Sequence, residues 1–285
     1  MASDHWDENE NLRFICQNGI GIERIDEIAT KGINLNQTFS NTKTPLQIAC
    51  ENNELEVVVK LLSLGAKIDS KPISLLYSVL THSRLKMLKI LIEFKINLNV
   101  IILGEPVLIF SLKNSKRKIT LFLIENGANL NVLGVGGLSP LYLAIEYNEP
   151  IIVEKLIQSG ADMYEKIPYD WGFNKDQYFI HKVCGDGLVE ILKILVKYGF
   201  DVNLTDESTV TPLFYAVNIV DADDIKLSMI NILLEAGADP TIIFENGNSL
   251  IDFAAESGSV DITVKLLSAI WNIDIPSSPK RQRIE

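Results

Sequence analysis

The chain of 285 residues has only three histidines and three cysteines, and that scarcity removes most metal and thiol chemistry at the outset. Cys16, Cys50 and Cys184 show neither pairing nor ligand spacing, so neither a disulfide framework nor a zinc site is expected. Free thiols of this kind suit a reducing compartment. No long apolar run is present: the most lipid-like stretch, residues 100–112, is interrupted by Gly104-Glu105-Pro106 and is too short to cross a bilayer. The N-terminus, MASDHWDENENL, has no basic start and no apolar core, so no signal peptide is expected. No phosphate-cradling glycine motif follows a strand; Gly134-Val135-Gly136-Gly137 lies between repeats, where tight turns need positive φ. These absences give the expectation of a soluble cytoplasmic protein with no cofactor, no metal, no membrane contact and no nucleic-acid partner.

Basic residues are also missing from one region. Residues 201–261 hold twelve Asp/Glu and one basic residue, Lys226, a charge of −11 equal to that of the whole chain. Residues 71–118 hold nine Lys/Arg against two Glu, or +7. Such a separation can orient a charged partner on approach, and the acidic third suits either a basic partner or a plain solubility surface. The basic run at Lys113, Lys116, Arg117 and Lys118 has no interleaved aromatics, which argues for a solvated turn over a phosphate or nucleic-acid site.

Hydrophobic residues make up 47% of the chain, enough for a packed core, and their pattern repeats. The clearest repeat is Thr44 to Ser70, TPLQIACENNELEVVVKLLSLGAKIDS. Thr44 suits a helix N-cap and Pro45 the first helical position, where its missing N–H costs nothing. Leu46, Ile48, Ala49 and Cys50 give a short first helix, Asn52 and Asn53 break it, and Leu55, Val58, Val59 and Leu62 form the stripe of a second helix. Gly65 then stands where a left-handed C-cap wants glycine. The same place recurs at Gly32, Gly65, Lys95, Gly127, Gly160, Gly199, Gly237 and Ile270, with spacings of 33, 30, 32, 33, 39, 38 and 33 residues.

The Thr44-Pro45-Leu46-Gln47-Ile48-Ala49 run and the period of about 33 residues resemble the ankyrin repeat family. The resemblance implies an all-α ankyrin-repeat solenoid of about eight helix-turn-helix repeats with projecting hairpin fingers, in which fingers and first helices line a concave groove. It covers one domain, residues 1–275, with repeats at about 8–37, 41–70, 71–100, 105–133, 137–165, 175–204, 209–242 and 247–275. A disordered basic tail, 276–285, follows. The first and last repeats read as caps, with Trp271, Ile273 and Ile275 folding over the exposed end. The third repeat lacks its proline and is expected to follow a short finger. Two insertions break the ruler: about six residues in 162–179, and about five in 218–228 between the helices of the seventh repeat.

What the resemblance implies about function is binding by a non-enzymatic, monomeric interaction module. His181 falls at the H of T-P-L-H-x-A and Cys184 aligns with Cys50, so a nucleophile–base pair of these with Asp186 gives way to a structural reading. The inserted finger carries Tyr164, Tyr169, Asp170, Trp171 and Phe173, candidate anchors for a protein partner unless they pack on each other. Tyr142 and Phe214, on first helices, are added as groove contacts. Asn203, in LVKYGFDVN, resembles a site of asparaginyl hydroxylation in ankyrin proteins. Two further readings stay open: a secreted effector of an intracellular bacterium acting in a host cell, and a nuclear regulatory adaptor using Lys280, Arg281 and Arg283 for import.

Overall fold

The computed structural model describes residues 7–39, 42–68, 73–167, 177–220, 223–243, 247–256 and 258–271. The chain forms two compact units, residues 1–135 and 136–285. Among the described residues are sixteen helices in eight pairs and one short hairpin. The N-terminal unit contains α1 (Glu8–Asn18), α2 (Arg24–Thr30), α3 (Pro45–Asn52), α4 (Leu55–Ser63), α5 (Ile73–Thr81) and α6 (Leu85–Glu93). A hairpin follows, β1 (Ile101–Ile102) and β2 (Glu105–Pro106), then α7 (Val107–Lys113) and α8 (Arg117–Glu125). The C-terminal unit contains α9 (Pro140–Glu146), α10 (Pro150–Gln158), α11 (Phe179–Gly185), α12 (Val189–Lys197), α13 (Pro212–Asn218), α14 (Asp223–Glu235), α15 (Leu250–Glu256) and α16 (Val260–Trp271).

Local chemistry sets the helix starts. The Thr44 hydroxyl accepts from the Gln47 N–H at 3.3 Å, and the Gln47 side-chain oxygen accepts from the Thr44 N–H at 2.8 Å, closing a capping box around Pro45. Asp7 caps α1 by accepting from Asn9 and Glu10 N–H groups at 2.8 Å each. In α4 the stripe Val57, Val58, Leu61 and Leu62 is buried, and each fully buried side chain of this size contributes about 1.5–3 kcal/mol relative to exposure. A nine-residue helix such as α4 is too short to persist alone, so packing against its neighbours supplies its stability. In the N-terminal unit the first helices α1, α3 and α5 pack in sequence order, as do the second helices α4 and α6. The C-terminal unit repeats this, α9, α11, α13 and α15 forming one row and α10, α12, α14 and α16 the other.

The ruler residues end seven of the second helices. Gly65, Gly127, Gly160 and Gly199 have φ of 90°, 86°, 94° and 77°, and the carbonyls of the last turn are closed there. Lys95 does the same at φ 64° without glycine's freedom. Two residues further on, Asn34, Asn97, Asn129, Asp162, Asp201 and Asp239 each accept from the backbone N–H two positions ahead, at 2.8–3.1 Å, turning the chain into the finger. The residue that follows this turn then reaches the next repeat. Asn36 accepts from Lys67 N–H at 2.6 Å, Asn99 from Asn129 N–H at 2.8 Å, and Asn203 from Asp239 N–H at 2.8 Å.

The eighth repeat departs from expectation. Ile270 lies inside α16, which runs through Trp271, so the ruler place there is helical rather than a turn. Trp271 is largely exposed instead of folding over the end; Ile273 and Ile275 lie outside the described residues. The insertion in the seventh repeat is spent mainly on helix, α14 having 13 residues against nine in α12. The finger before the third repeat and the tail 276–285 lie outside the described residues. Among the described residues no helix is long and apolar enough to cross a membrane.

Lys95 gives a test of the closure. Left-handed φ costs a non-glycine residue about 1–2 kcal/mol, and glycine's extra unfolded-state freedom returns about 0.5–1 kcal/mol of that. Lys95→Gly is therefore expected to stabilise the protein by about 1 kcal/mol in chemical denaturation, and a loss of stability would mean that the lysine side chain holds the turn.

Candidate partner-binding groove

The C-terminal unit carries a groove of about 520 Å³ on the first-helix side, between α11 and α13. Its floor is fixed by polar chemistry that begins at the N-cap of α11. Tyr178 N–H donates to His181 Nδ1 at 3.1 Å, the job that Gln47 performs in the second repeat. With Nδ1 accepting, Nε2 carries the proton and donates to the Leu204 carbonyl at 2.9 Å, tying α11 to the next finger. His181 is fully buried, and burial holds its pKa below the ordinary value of 6.5.

That finger is closed by Asp206. One of its carboxylate oxygens accepts from the Ser208 and Val210 N–H groups at 2.9 Å each, and the other accepts from the Tyr215 hydroxyl at 2.8 Å. Gln177 donates to the same hydroxyl. A buried carboxylate with its acceptor sites filled in this way is a rigid turn rather than a reactive group.

The lip of the groove is acidic. Lys182 is buried and its ammonium contacts Glu146 at 2.8 Å and Asp186 at 2.7 Å, so two half-exposed carboxylates share one cation. Burial alone would lower the Lys182 pKa; hydrogen bonds to Asp186 and Glu146 outweigh it and hold the value above the ordinary range. Phe214 is half-buried and meets Phe253 edge-on at 5.1 Å. Val220, at the mouth, is fully exposed.

The expected contact residues fare differently. Tyr142 is buried, 3% exposed, beside Phe179 and under the Lys182 ammonium, so it supports the lip and offers a partner almost no surface. Phe214 does line the groove. Tyr164 is 43% exposed but stacks on Phe200 with ring centroids 4.6 Å apart. Its hydroxyl donates to the Gly199 carbonyl at 3.4 Å, as the Asn203 amide does to Gly237 at 2.9 Å, so Tyr164 occupies the place of the inter-repeat asparagine. Tyr169, Asp170, Trp171 and Phe173 lie outside the described residues. Asn203 is exposed with both amide atoms engaged in the next finger.

Lys182, Tyr215 and Val220 were not singled out by sequence reasoning. The Lys182–Asp186 spacing of four residues was the legible signal. The three cysteines are buried and free; burial pushes the thiols of Cys16 and Cys50 up to about 12 and that of Cys184 higher still, so none is a ready nucleophile.

Paired short helices, left-handed closures and stapled fingers define a helical repeat protein whose first-helix face is open. Residues 41–71 match the model of the ankyrin repeat, and residues 75–167 match that of ankyrin repeats in three copies. Residues 41–71 and 75–167 are thus ankyrin repeats, which form protein–protein interaction modules and generally non-enzymatic scaffolds. The chain is 27% identical over 159 residues to an ankyrin repeat protein of fowlpox virus, covering 55% of this chain and 38% of that one. An ankyrin repeat protein of Rickettsia felis is 27% identical over 214 residues, 72% of this chain and 53% of that one. The chain thus spans about half or less of these relatives' length. The ankyrin repeat domain of Bcl-3, a member of the IkappaB family, superposes with a TM-score of 0.57 at 22% identity, over 78% of this chain and 96% of that domain.

The histidine gives a pH signature. Above pH 6.5 both folded and unfolded chains hold it neutral and it adds no pH dependence. Below that value the unfolded chain takes the proton first, because the native value is depressed, so stability falls as pH drops. In His181→Gln, which repeats the Gln47 arrangement, the loss of melting temperature between pH 7 and pH 5.5 should be smaller than in the wild type. An unchanged slope would place the proton uptake elsewhere.

Proposed function

We propose that the C-terminal unit binds a protein partner through this groove, and that the partner presents a basic segment with an apolar side chain. The observation that carries the reading is the pairing of a fully exposed Val220 at the mouth with the Glu146–Lys182–Asp186 lip, which holds one more negative than positive charge. The surrounding stretch adds exposed carboxylates at Asp201, Glu207, Asp223 and Asp224, able to speed the approach of a cationic partner. The groove is held by His181, Asp206 and Tyr215 before any partner arrives, so little ordering cost opposes association. The finger residues Tyr169, Asp170, Trp171 and Phe173 are proposed as an adjoining contact. The buried thiols and fully bonded His181 favour binding over catalysis, and free cysteines favour a cytoplasmic setting.

Affinity capture with mass spectrometry, followed by titration of the captured partner, tests this. Val220→Arg alters a side chain that touches nothing in the core and places a cation at the mouth. It is expected to weaken binding tenfold or more, about 1.4 kcal/mol, with the melting temperature unchanged. Unchanged affinity would remove the groove from the interface. We also propose hydroxylation of Asn203, and intact-peptide mass after co-expression with an asparaginyl hydroxylase decides it: a gain of one oxygen is expected, and no gain rejects it.

A further inference from the structure

The hairpin finger of the N-terminal unit is built against its own backbone preference. Its two central residues, Leu103 and Gly104, have φ of 51° and 85°, the signature of a two-residue turn with both positions left-handed. Such turns favour asparagine followed by glycine, because a branched carbon chain at positive φ is strained. Here the first position is a leucine that is 76% exposed. It therefore costs conformational energy and buries little in return. Among the other non-glycine residues with positive φ in the described structure, none is a large aliphatic.

What Leu103 does is wall a cleft. With Ile73 and Tyr77 of α5, and with Ile102, Thr42 and Gln47, it lines an open cleft of about 650 Å³. Ile73 and Tyr77 are themselves more than two-fifths exposed, so three large exposed apolar residues line one cleft. The site is held firmly. Tyr77 rests on Phe110 with ring centroids 6.0 Å apart, and Gln47 donates to the Ser74 hydroxyl at 2.8 Å across the floor. Glu105, at the base of the hairpin, contacts Lys113 of α7 and accepts from Val135 N–H at 3.2 Å, which fixes the finger's angle. Strain kept at a well-anchored, exposed position is the pattern of a ligand clamp.

The charge around the cleft selects its occupant. The cleft is set in residues 71–118, which carry +7 in a chain of −11. The Lys113–Glu105 pair is neutral within that count, and Lys118 at the start of α8 is exposed. We propose that this cleft is a second docking surface, separate from the acidic groove, which takes an acidic segment of a partner protein through one bulky apolar side chain. The apolar walls hold the anchor while the basic surroundings favour flanking Asp and Glu.

A random twelve-residue peptide display library, selected on the full chain and depleted on Leu103→Asn, tests the assignment. Asparagine suits the turn, so the variant is expected to melt no lower than the wild type. Enriched peptides should be net negative with an aromatic or aliphatic residue. Their affinity should fall tenfold or more in Leu103→Asn and in Tyr77→Ala, weaken with added salt, and be unchanged in Val220→Arg, which separates this surface from the groove. Failure to enrich any peptide, enrichment of neutral or basic ones, or a lower melting temperature for Leu103→Asn would overturn the proposal; the last would make Leu103 a structural plug. So would a concentration-dependent dimer in sedimentation that Leu103→Asn dissolves, since the face would then be covered by a second copy.

Discussion

No helix pair in this protein can bury its apolar stripe by itself, and the rest of the structure follows from that constraint. The first helices have seven to eleven residues and most second helices seven to nine, lengths at which an isolated helix in water is marginal. Each gains its order from the pair before and the pair after it. The chain must therefore return to the same place from pair to pair, and after six of the eight pairs it does so by a left-handed residue followed by an Asx turn. The asparagines at 36, 99 and 203 extend that turn into the next repeat, so the device that ends one pair also positions its neighbour. At 164 a tyrosine does the same by stacking and by its hydroxyl, which shows that the geometry is required and the residue type is not.

The second helices are needed for burial, whereas exposed side chains such as Leu103 and Val220 line clefts beside the first helices. Both units place their unexplained chemistry there. The C-terminal unit has a shallow acidic groove on a floor of fully bonded polar groups, while the N-terminal unit has an apolar cleft walled by a strained leucine in a basic stretch. Because fingers and floor are fixed by hydrogen bonds within the stack, either surface can meet a partner without first being ordered. The buried histidine and thiols, which resemble reactive groups when read as a list, are consumed by this framework.

Much of the framework was legible in the sequence because it is local and repeated. Thr44 with Pro45 and Gln47 is a helix start on chemistry alone, and the recurring glycine dictated where second helices end, through the preference of the left-handed region. His181 stands at the place in the repeat that Gln47 holds, and it accepts the same bond from the N-cap N–H. What sequence did not decide was the fate of side chains whose environment comes from another repeat. Tyr142 and Tyr164 look alike as aromatic anchors, yet one is buried beneath Lys182 and the other is stacked on Phe200, and only packing separates them. The eighth ruler place was equally undecided by sequence: Ile270 lies inside α16, and the backbone there is helical rather than turned. Leu103 was invisible in the sequence because a leucine in an apolar stretch reads as core. Only the tertiary structure set it at positive φ on an exposed tip, since the two-residue turn between Ile102 and Glu105 is fixed by the pairing of the strands on either side.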